Sequence, residues 1–408
     1  RHGAEGSHVE DPVVGHAVLA HQSSAVEAHH HRDVFNQECC DLFIHVYQMR
    51  KIAFLIPTLI EGGMERVMSE ILKYCAEYTD FELHLVLYGK EHTPFYKIPS
   101  TVFVHKPHLK YEDYNRMVYT IKTMYYLREE IKKIHPVSIL SFGEIFNNLV
   151  LLSLWGLHYP IYISDRCRPN KSFGKLHDHL RKWLYPKATG VIAQTEKAKS
   201  IYLTQFKHPN IRVIGNPIRK IEDGNFLNKE NIVLSVGRLI TTKNFDQLIR
   251  IFSQVVYGDW KLIIVGGDAL KQKNSVLLQK QIDDLGLTDR IILAGSQKDV
   301  VSYLLRSKIF AFTSSSEGFP NVIGEALAAG LPVIAYDCIA GPADMVEDGK
   351  NGYLIPLFDE EMFKKKLVYL MQHDEVRNQM VQNAPPSVLK YSTSVVCEKY
   401  LDFILNNK

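Results

Sequence analysis

From residue 51 onward the chain alternates short, continuously apolar runs with stretches whose apolar residues recur at helical spacing. That alternation is the pattern of a parallel sheet covered by helices. Ile52–Pro57 is an apolar run of strand length, and Glu61-Gly62-Gly63 is a turn. Val67, Ile71, Tyr74, Cys75 and Tyr78 then fall on one face of a helix over 64–78. A second strand is expected at Leu83–Leu87, and a helix at Tyr119–Ile134 is ended by the pre-proline His135. Further short strands are expected at Ile139–Ser141, Ile161–Ser164 and Gly190–Ala193.

The pattern lapses over 219–230, a polar stretch containing Asp223-Gly224-Asn225, and resumes at Ile232–Val236. Helices are expected at Asn244–Val256, up to Leu285, at Val300–Arg306 and at Asn321–Ala329. They alternate with strands at Leu262–Val265, Ile291–Ala294, Ile309–Thr313 and Pro332–Tyr336. This predicts an α/β protein of two facing, Rossmann-like, doubly wound parallel-sheet domains, over 49–218 and 231–390, with a ligand cleft between their carboxyl strand ends. A last helix over 391–408, with Val396, Tyr400, Phe403 and Ile404 on one side, is expected to cross back to the first domain.

Composition changes the picture at the front. Residues 1–48 hold 8 of the 18 histidines, no lysine, two arginines and seven acids, with almost no apolar periodicity. They read either as sequence upstream of a true start at Met49 or as a disordered extension. The whole chain carries a formal charge of only +3, which argues against nucleic-acid binding by bulk positive charge. Its six cysteines show no C-x-x-C spacing, which suits a reducing compartment. The most apolar window, 149–163, is broken by Gly156, His158 and Pro160 and is too short to span a bilayer.

Candidate chemistry concentrates in the second domain. Glu317 lies in a loop after a strand, and Glu325 eight residues later lies about one turn into a helix. The backbone N–H groups of Asn321, Val322 and Ile323 offer a seat for a phosphate, and a carboxylate one turn on can accept a ribose diol. Arg238 at a strand end and Lys243 at a helix start can converge on a diphosphate. Taken singly, each is equally a solvated charge. Gly62-Gly63 permits close backbone approach from the other domain, or is plain turn chemistry. Neither G-x-G-x-x-G nor the P-loop motif occurs in the chain.

Four motifs join these residues: Gly-Gly-Met-Glu-Arg-Val at 62–67, Val-Gly-Arg-Leu at 236–239 with Lys243-Asn244, the E-x7-E helix, and Glu-Asp-Gly-Lys-Asn-Gly-Tyr-Leu at 347–354. Together they resemble the retaining glycosyltransferases of the GT-B fold, specifically the large family 4 group. Pro320-Asn321 and Cys338-Ile339-Ala340-Gly341-Pro342 resemble the subgroup that extends bacterial surface-polysaccharide or lipid-linked oligosaccharides. The resemblance implies a nucleotide-sugar donor, usually UDP-linked, and no separate cofactor. Arg238 and Lys243 would then hold the diphosphate, Glu325 the ribose, and Glu317 the transferred sugar. Gly62-Gly63 would meet the phosphate, and the loop from Gly295 to Gln297 the uracil. Several family members have a His-Asp pair where this chain has Ser164-Asp165-Arg166, so Asp165 and Arg166 are acceptor-side candidates or a loop-fixing ion pair.

No D-x-D occurs in the chain, and none of the candidate sites is read as a metal site. A basic run between Arg166 and Lys187 carries Arg166, Arg168, Lys171, Lys175, Arg181, Lys182 and Lys187 against Asp178 alone. Phe173, Leu176, Leu180, Trp183 and Leu184 recur through it at helical spacing. That is either an interfacial helix for anionic lipid or a helix packed on the sheet with a solvated basic side. With a lipid-linked glycan acceptor, the resemblance implies a cytoplasmic enzyme peripheral to the inner face of the plasma membrane. Two other readings stay open: a GT-B-like nucleotide-sugar epimerase and a non-catalytic two-domain small-molecule binder.

Overall fold

The computed structural model describes residues 50–90, 93–109, 111–221, 229–269 and 272–406. The expectations for residues 1–48, and for most of the 219–230 linker, lie outside the described residues. In the first domain β1 (Lys51–Ile56) leads to α1 (Gly63–Tyr78), β2 (Glu82–Leu87), β3 (Phe103–His105) and α2 (Arg116–Ile134). Next come β4 (Ser138–Phe142), α3 (Glu144–Ser153), β5 (Ile161–Ser164), α4 (Lys175–Leu184), β6 (Gly190–Ala193), α5 (Glu196–Gln205) and β7 (Ile211–Val213). The strands form one sheet in the order β3-β2-β1-β4-β5-β6-β7, with parallel pairings such as Ile52 opposite Leu83 and Ser138. Its central strands are buried on both faces, which is why they read as unbroken apolar runs.

The second domain runs through β8 (Ile232–Val236), α6 (Phe245–Ser253), β9 (Lys261–Val265), α7 (Asn274–Asp284), β10 (Ile291–Gly295), α8 (Val300–Arg306) and β11 (Ile309–Phe312). It continues with α9 (Asn321–Ala328), β12 (Val333–Tyr336), α10 (Pro342–Met345), β13 (Gly352–Ile355), α11 (Glu360–Gln372) and α12 (Asp374–Ser387). Its sheet order is β10-β9-β8-β11-β12-β13, again parallel. In both sheets the order reverses beside the first strand, between β1 and β4 and between β8 and β11. Crevices open at such reversals, at the carboxyl ends of the strands.

α13 (Thr393–Leu405) returns to the first domain, where Val396, Cys397, Tyr400, Phe403 and Ile404 pack with Ile52, Phe54, Val67 and Ile71. The chain therefore crosses between the domains twice, and the crossings touch: the Ile218 N–H donates to the Tyr391 carbonyl at 2.7 Å. Helix ends follow local chemistry. α2 starts three residues earlier than periodicity suggests because the Asn115 side chain caps the Val118 N–H at 2.9 Å. It stops at His135, which is left-handed (φ 52°) ahead of Pro136.

Candidate functional site

The site builds from the carboxyl ends of β8 and β11. The Thr241–Lys243 turn is stitched to the loop after β11. Ser315 N–H donates to the Thr242 carbonyl (2.9 Å), Asn244 Nδ2 to the Thr313 carbonyl (2.8 Å), and the Thr313 hydroxyl to the Lys243 carbonyl (2.9 Å). This brings the Lys243 ammonium within 2.7 Å of the Glu317 carboxylate, both side chains 15% exposed. Lys243 lies across Gly237, and Arg238 beside it is exposed. Gly266-Gly267 after β9 and Gly295 after β10 complete this wall, with the Gly266 N–H bonded to the Gly295 carbonyl at 2.9 Å. Gly266 admits no side chain, because an added Cβ would lie 1.8 Å from the Gly237 carbonyl oxygen. Sequence reading passed over Gly266-Gly267; a Gly pair directly after a strand was the available signal.

Across the cleft stands the start of α1. Tyr96 fixes the turn: its hydroxyl donates to the Gly62 carbonyl (2.9 Å) and accepts from the Gly62 N–H (3.3 Å). Gly63 faces Asn321 at the start of α9, where an added Cβ would stand 3.6 Å from Asn321 Nδ2. Two helix N-termini, each lacking a side-chain cap, thus point into one cleft, and their partial positive charges favour an anion there. The phosphate seat expected from Asn321, Val322 and Ile323 is narrower than predicted. Asn321 N–H is turned to the Phe319 carbonyl and Ile323 N–H to that of Pro320, both at 3.0 Å, because Pro320 tightens the first turn.

One helical turn deeper, Arg66 Nη1 pairs with Glu325 Oε1, and Arg219 Nε approaches the same oxygen at 3.5 Å. Glu325 is 5% exposed. Glu65 lies over Gly62, and burial raises its carboxyl above the usual range against the pull of Arg238 and Arg166. Glu65 and Arg66 fall within the 62–67 motif, but the sequence reading gave neither a role. The Glu317–Gly318 loop meets the first domain so closely that an added Cβ on Gly318 would stand 2.9 Å from the Cys167 carbonyl oxygen.

Asp165 and Arg166 take structural places. Asp165 is 1% exposed and is engaged by Arg181 Nη2, by Asn147 Nδ2 at 3.1 Å and by the Tyr185 hydroxyl at 2.6 Å. It is the buried anchor of the loop and α4, with no surface to offer an acceptor; its ionic partner is Arg181 and not the adjacent Arg166. Arg166 donates to Asn216 Oδ1 (2.7 Å) and the Tyr400 hydroxyl (3.0 Å) and lies on the Phe142 ring. Asn216 in turn donates to Asn321 Oδ1 at 2.7 Å, so Arg166 supports the cleft from below. Glu144 receives the Arg166 N–H (2.7 Å) and the Cys167 N–H, and burial raises its carboxyl.

The basic run divides. Arg181 is buried and Leu184 fully so, while Lys171, Lys175, Lys182 and Lys187 are exposed with Leu176 (69%) and Trp183 (48%). Arg181 therefore drops out of the expected lipid-facing set. Trp183 packs against the half-exposed Trp155 with ring centroids 4.6 Å apart, and Lys187 lies over both. Arg128 donates to the Trp155 carbonyl at 2.7 Å and joins this patch to α2, where Met117, Ile121 and Tyr125 form an exposed stripe at four-residue spacing. Among the described residues no helix is long and apolar enough to cross a membrane, and no three His, Cys, Asp or Glu side chains are placed to hold a metal ion.

Comparison with known proteins bears on the family and the fold. Residues 61–220 match the model for Glycosyltransferase Family 4, and residues 218–386 the model for Glycosyl transferases group 1. The chain is 28% identical to the amylovoran biosynthesis glycosyltransferase AmsD of Erwinia amylovora, over 87% of this chain and 100% of that protein. It is 26% identical to a Campylobacter jejuni alpha-1,4-N-acetyl-D-galactosaminyltransferase, named for a GalNAc-containing diNAcBac-PP-undecaprenol substrate, over 88% of this chain and 99% of the relative. A Staphylococcus aureus TarM mutant solved with fondaparinux, alpha-GlcNAc-glycerol and UDP superposes with a TM-score of 0.72 at 18% identity, covering 88% and 100% of the two chains. The chain is a glycosyltransferase of the GT-B fold, whose first domain matches the family 4 model and whose second matches the group 1 model.

Proposed function

We propose that this enzyme moves a sugar, with retention of anomeric configuration, from a UDP-linked donor to a hydroxyl of a lipid-linked or polysaccharide acceptor in the synthesis of a bacterial surface glycan. The observation that carries the reading is the convergence of Arg238, Lys243, Glu317 and Glu325 with two helix N-termini in one cleft. Cations and helix ends of that kind stabilise the charge that develops on a leaving diphosphate. Glu325 would accept a ribose diol one turn below the phosphate seat, and Glu317 would contact the hydroxyls of the transferred sugar. Gly295 has open space beside it, and the loop it begins would meet the planar base. A front-face route, in which the leaving phosphate takes the acceptor proton, requires no enzymic nucleophile.

The relatives' names support the acceptor class, since one is named for amylovoran biosynthesis and another for an undecaprenol-linked glycan. The patch of Trp155, Trp183, Leu176, Lys175, Lys182 and Lys187 supports a peripheral position on an anionic membrane. Exposed tryptophans suit the headgroup level, and each cation near the surface contributes ~1 kcal/mol. UDP release over a panel of UDP-sugars and lipid-linked acceptors tests the assignment. Release that depends on acceptor is the expected result; turnover of donor without acceptor, or no release from any donor, would contradict it.

A further inference from the structure

Arg66 is placed where helix electrostatics disfavour it. It lies in the first turn of α1, with its N–H bonded to the Gly62 carbonyl at 3.0 Å, at the positive end of the helix. Its Nη1 reaches across the cleft to Glu325, while Nη2 is buried and has no hydrogen-bond partner among the described residues. A guanidinium presents a rigid fork of donors, and a buried donor left unmatched is costly to the fold, so this one calls for a ligand. The geometry supplies a place for one. Gly63 and Arg66 on α1 face Asn321 and Glu325 on α9, so each charged residue lies one turn inside the cleft from its helix start. One turn is about 5.4 Å, within the sweep of an arginine side chain.

We infer that Arg66 is a donor-reading residue that holds Glu325 until the nucleoside takes that carboxylate, and then turns its guanidinium to the diphosphate. The inference rests on the reading of the cleft as a nucleotide-sugar site. Two consequences of opposite sign follow. A nucleoside without phosphates must compete with Arg66 for Glu325 and gains nothing in return. A nucleoside diphosphate meets the same competition but recovers a charge-assisted contact on the released guanidinium. Arg66 thereby joins donor occupancy to the approach of the first domain, and it makes the site prefer a charged nucleotide to a neutral one.

The test is equilibrium binding of uridine and of UDP to the wild-type protein and to Arg66→Met, with thermal unfolding as a check on folding. Uridine should bind Arg66→Met more tightly than wild type, and UDP more weakly. The ratio of UDP to uridine affinity should fall by about 10-fold or more, roughly the value of one charge-assisted contact. Arg66→Lys keeps a cation without the fork and should shift both affinities in the same directions by less. It serves as the second variant should the methionine protein not fold. A role confined to holding the domains together would move both affinities the same way in both variants, and that result would overturn the inference. Wild-type protein that binds neither ligand would instead sink the nucleotide-site reading itself, and this inference with it.

Discussion

Lys243 Nζ and Glu317 Oε1 stand 2.7 Å apart, joined through loops whose sequence positions are 74 residues distant. The stitching of the 241–244 turn to the loop after β11 makes this pairing a property of the fold, not of two flexible side chains. On the proposed reading, it sets the leaving-group cation beside the carboxylate that would contact the sugar, so the anomeric centre of a bound donor would lie there.

Arg238→Ala, Lys243→Ala and Glu325→Ala are therefore expected to fold and to lose activity. Removing one electrostatic donor from a transition state costs on the order of 100-fold in rate. Turnover of each variant, with circular dichroism to verify folding, measures it. Near-native rates in all three would remove the donor site from this cleft.

Asp165 should behave as a stability residue. Its carboxylate satisfies Arg181, Asn147 and Tyr185 in a buried cluster. Breaking one side of such a pair typically costs about 3–5 kcal/mol, because it strands the other charge. Asp165→Ala is expected to lower the urea midpoint by a corresponding amount; unchanged stability with lost acceptor binding would restore its acceptor-side role.

His84 gives the fold a pH dependence. It is a buried residue of β2 beside β3, with Nε2 2.7 Å from Glu82 and Nδ1 2.9 Å from His105. Burial lowers its protonation range, Glu82 opposes this, and the charge of His105 adds to it. A histidine whose folded value lies below its unfolded value of about 6.5 favours the neutral fold. Its contribution to stability is complete above that pH and is lost as pH falls through the lower folded value. His84→Gln should flatten the decline of the urea midpoint below pH ~6.5. An identical decline in both proteins would assign the effect to other groups.

Liposome flotation tests the membrane position. Binding should require anionic lipid, weaken with salt, and fall when Lys175, Lys182 and Lys187 become Glu. Trp183→Ala should weaken it further at fixed charge. Equal recovery with neutral and anionic vesicles, or with neither, would contradict the proposal.

The alternating fold was legible because strands buried on both faces read as apolar runs and their crossover helices keep a 3.6-residue period. The candidate residues could be picked out because their motifs are local: Arg238 with Lys243, and Glu317 with Glu325, each fall within one strand-loop-helix unit. The cross-cleft pair of Arg66 and Glu325 was not, since 259 residues separate them and only the folded chain brings α1 to α9. Nor was the fate of Arg181, because helical spacing places it on the basic run while the buried carboxylate that claims it lies on a strand-end loop. α11 and α12 went unread, with Pro385 and Pro386 in the last turn of α12 working against a helical reading.

The central claim is that the second domain holds a UDP-sugar through Arg238, Lys243 and Glu325, with no D-x-D motif to bind a metal for them. Titration calorimetry of UDP against wild-type protein in EDTA tests it most directly, with Arg238→Ala and Lys243→Ala alongside. Saturable binding of one UDP per chain, weakened about 10-fold or more by each substitution, is the predicted result. Binding that appears only with added Mg²⁺ or Mn²⁺, or that neither substitution weakens, would contradict the account.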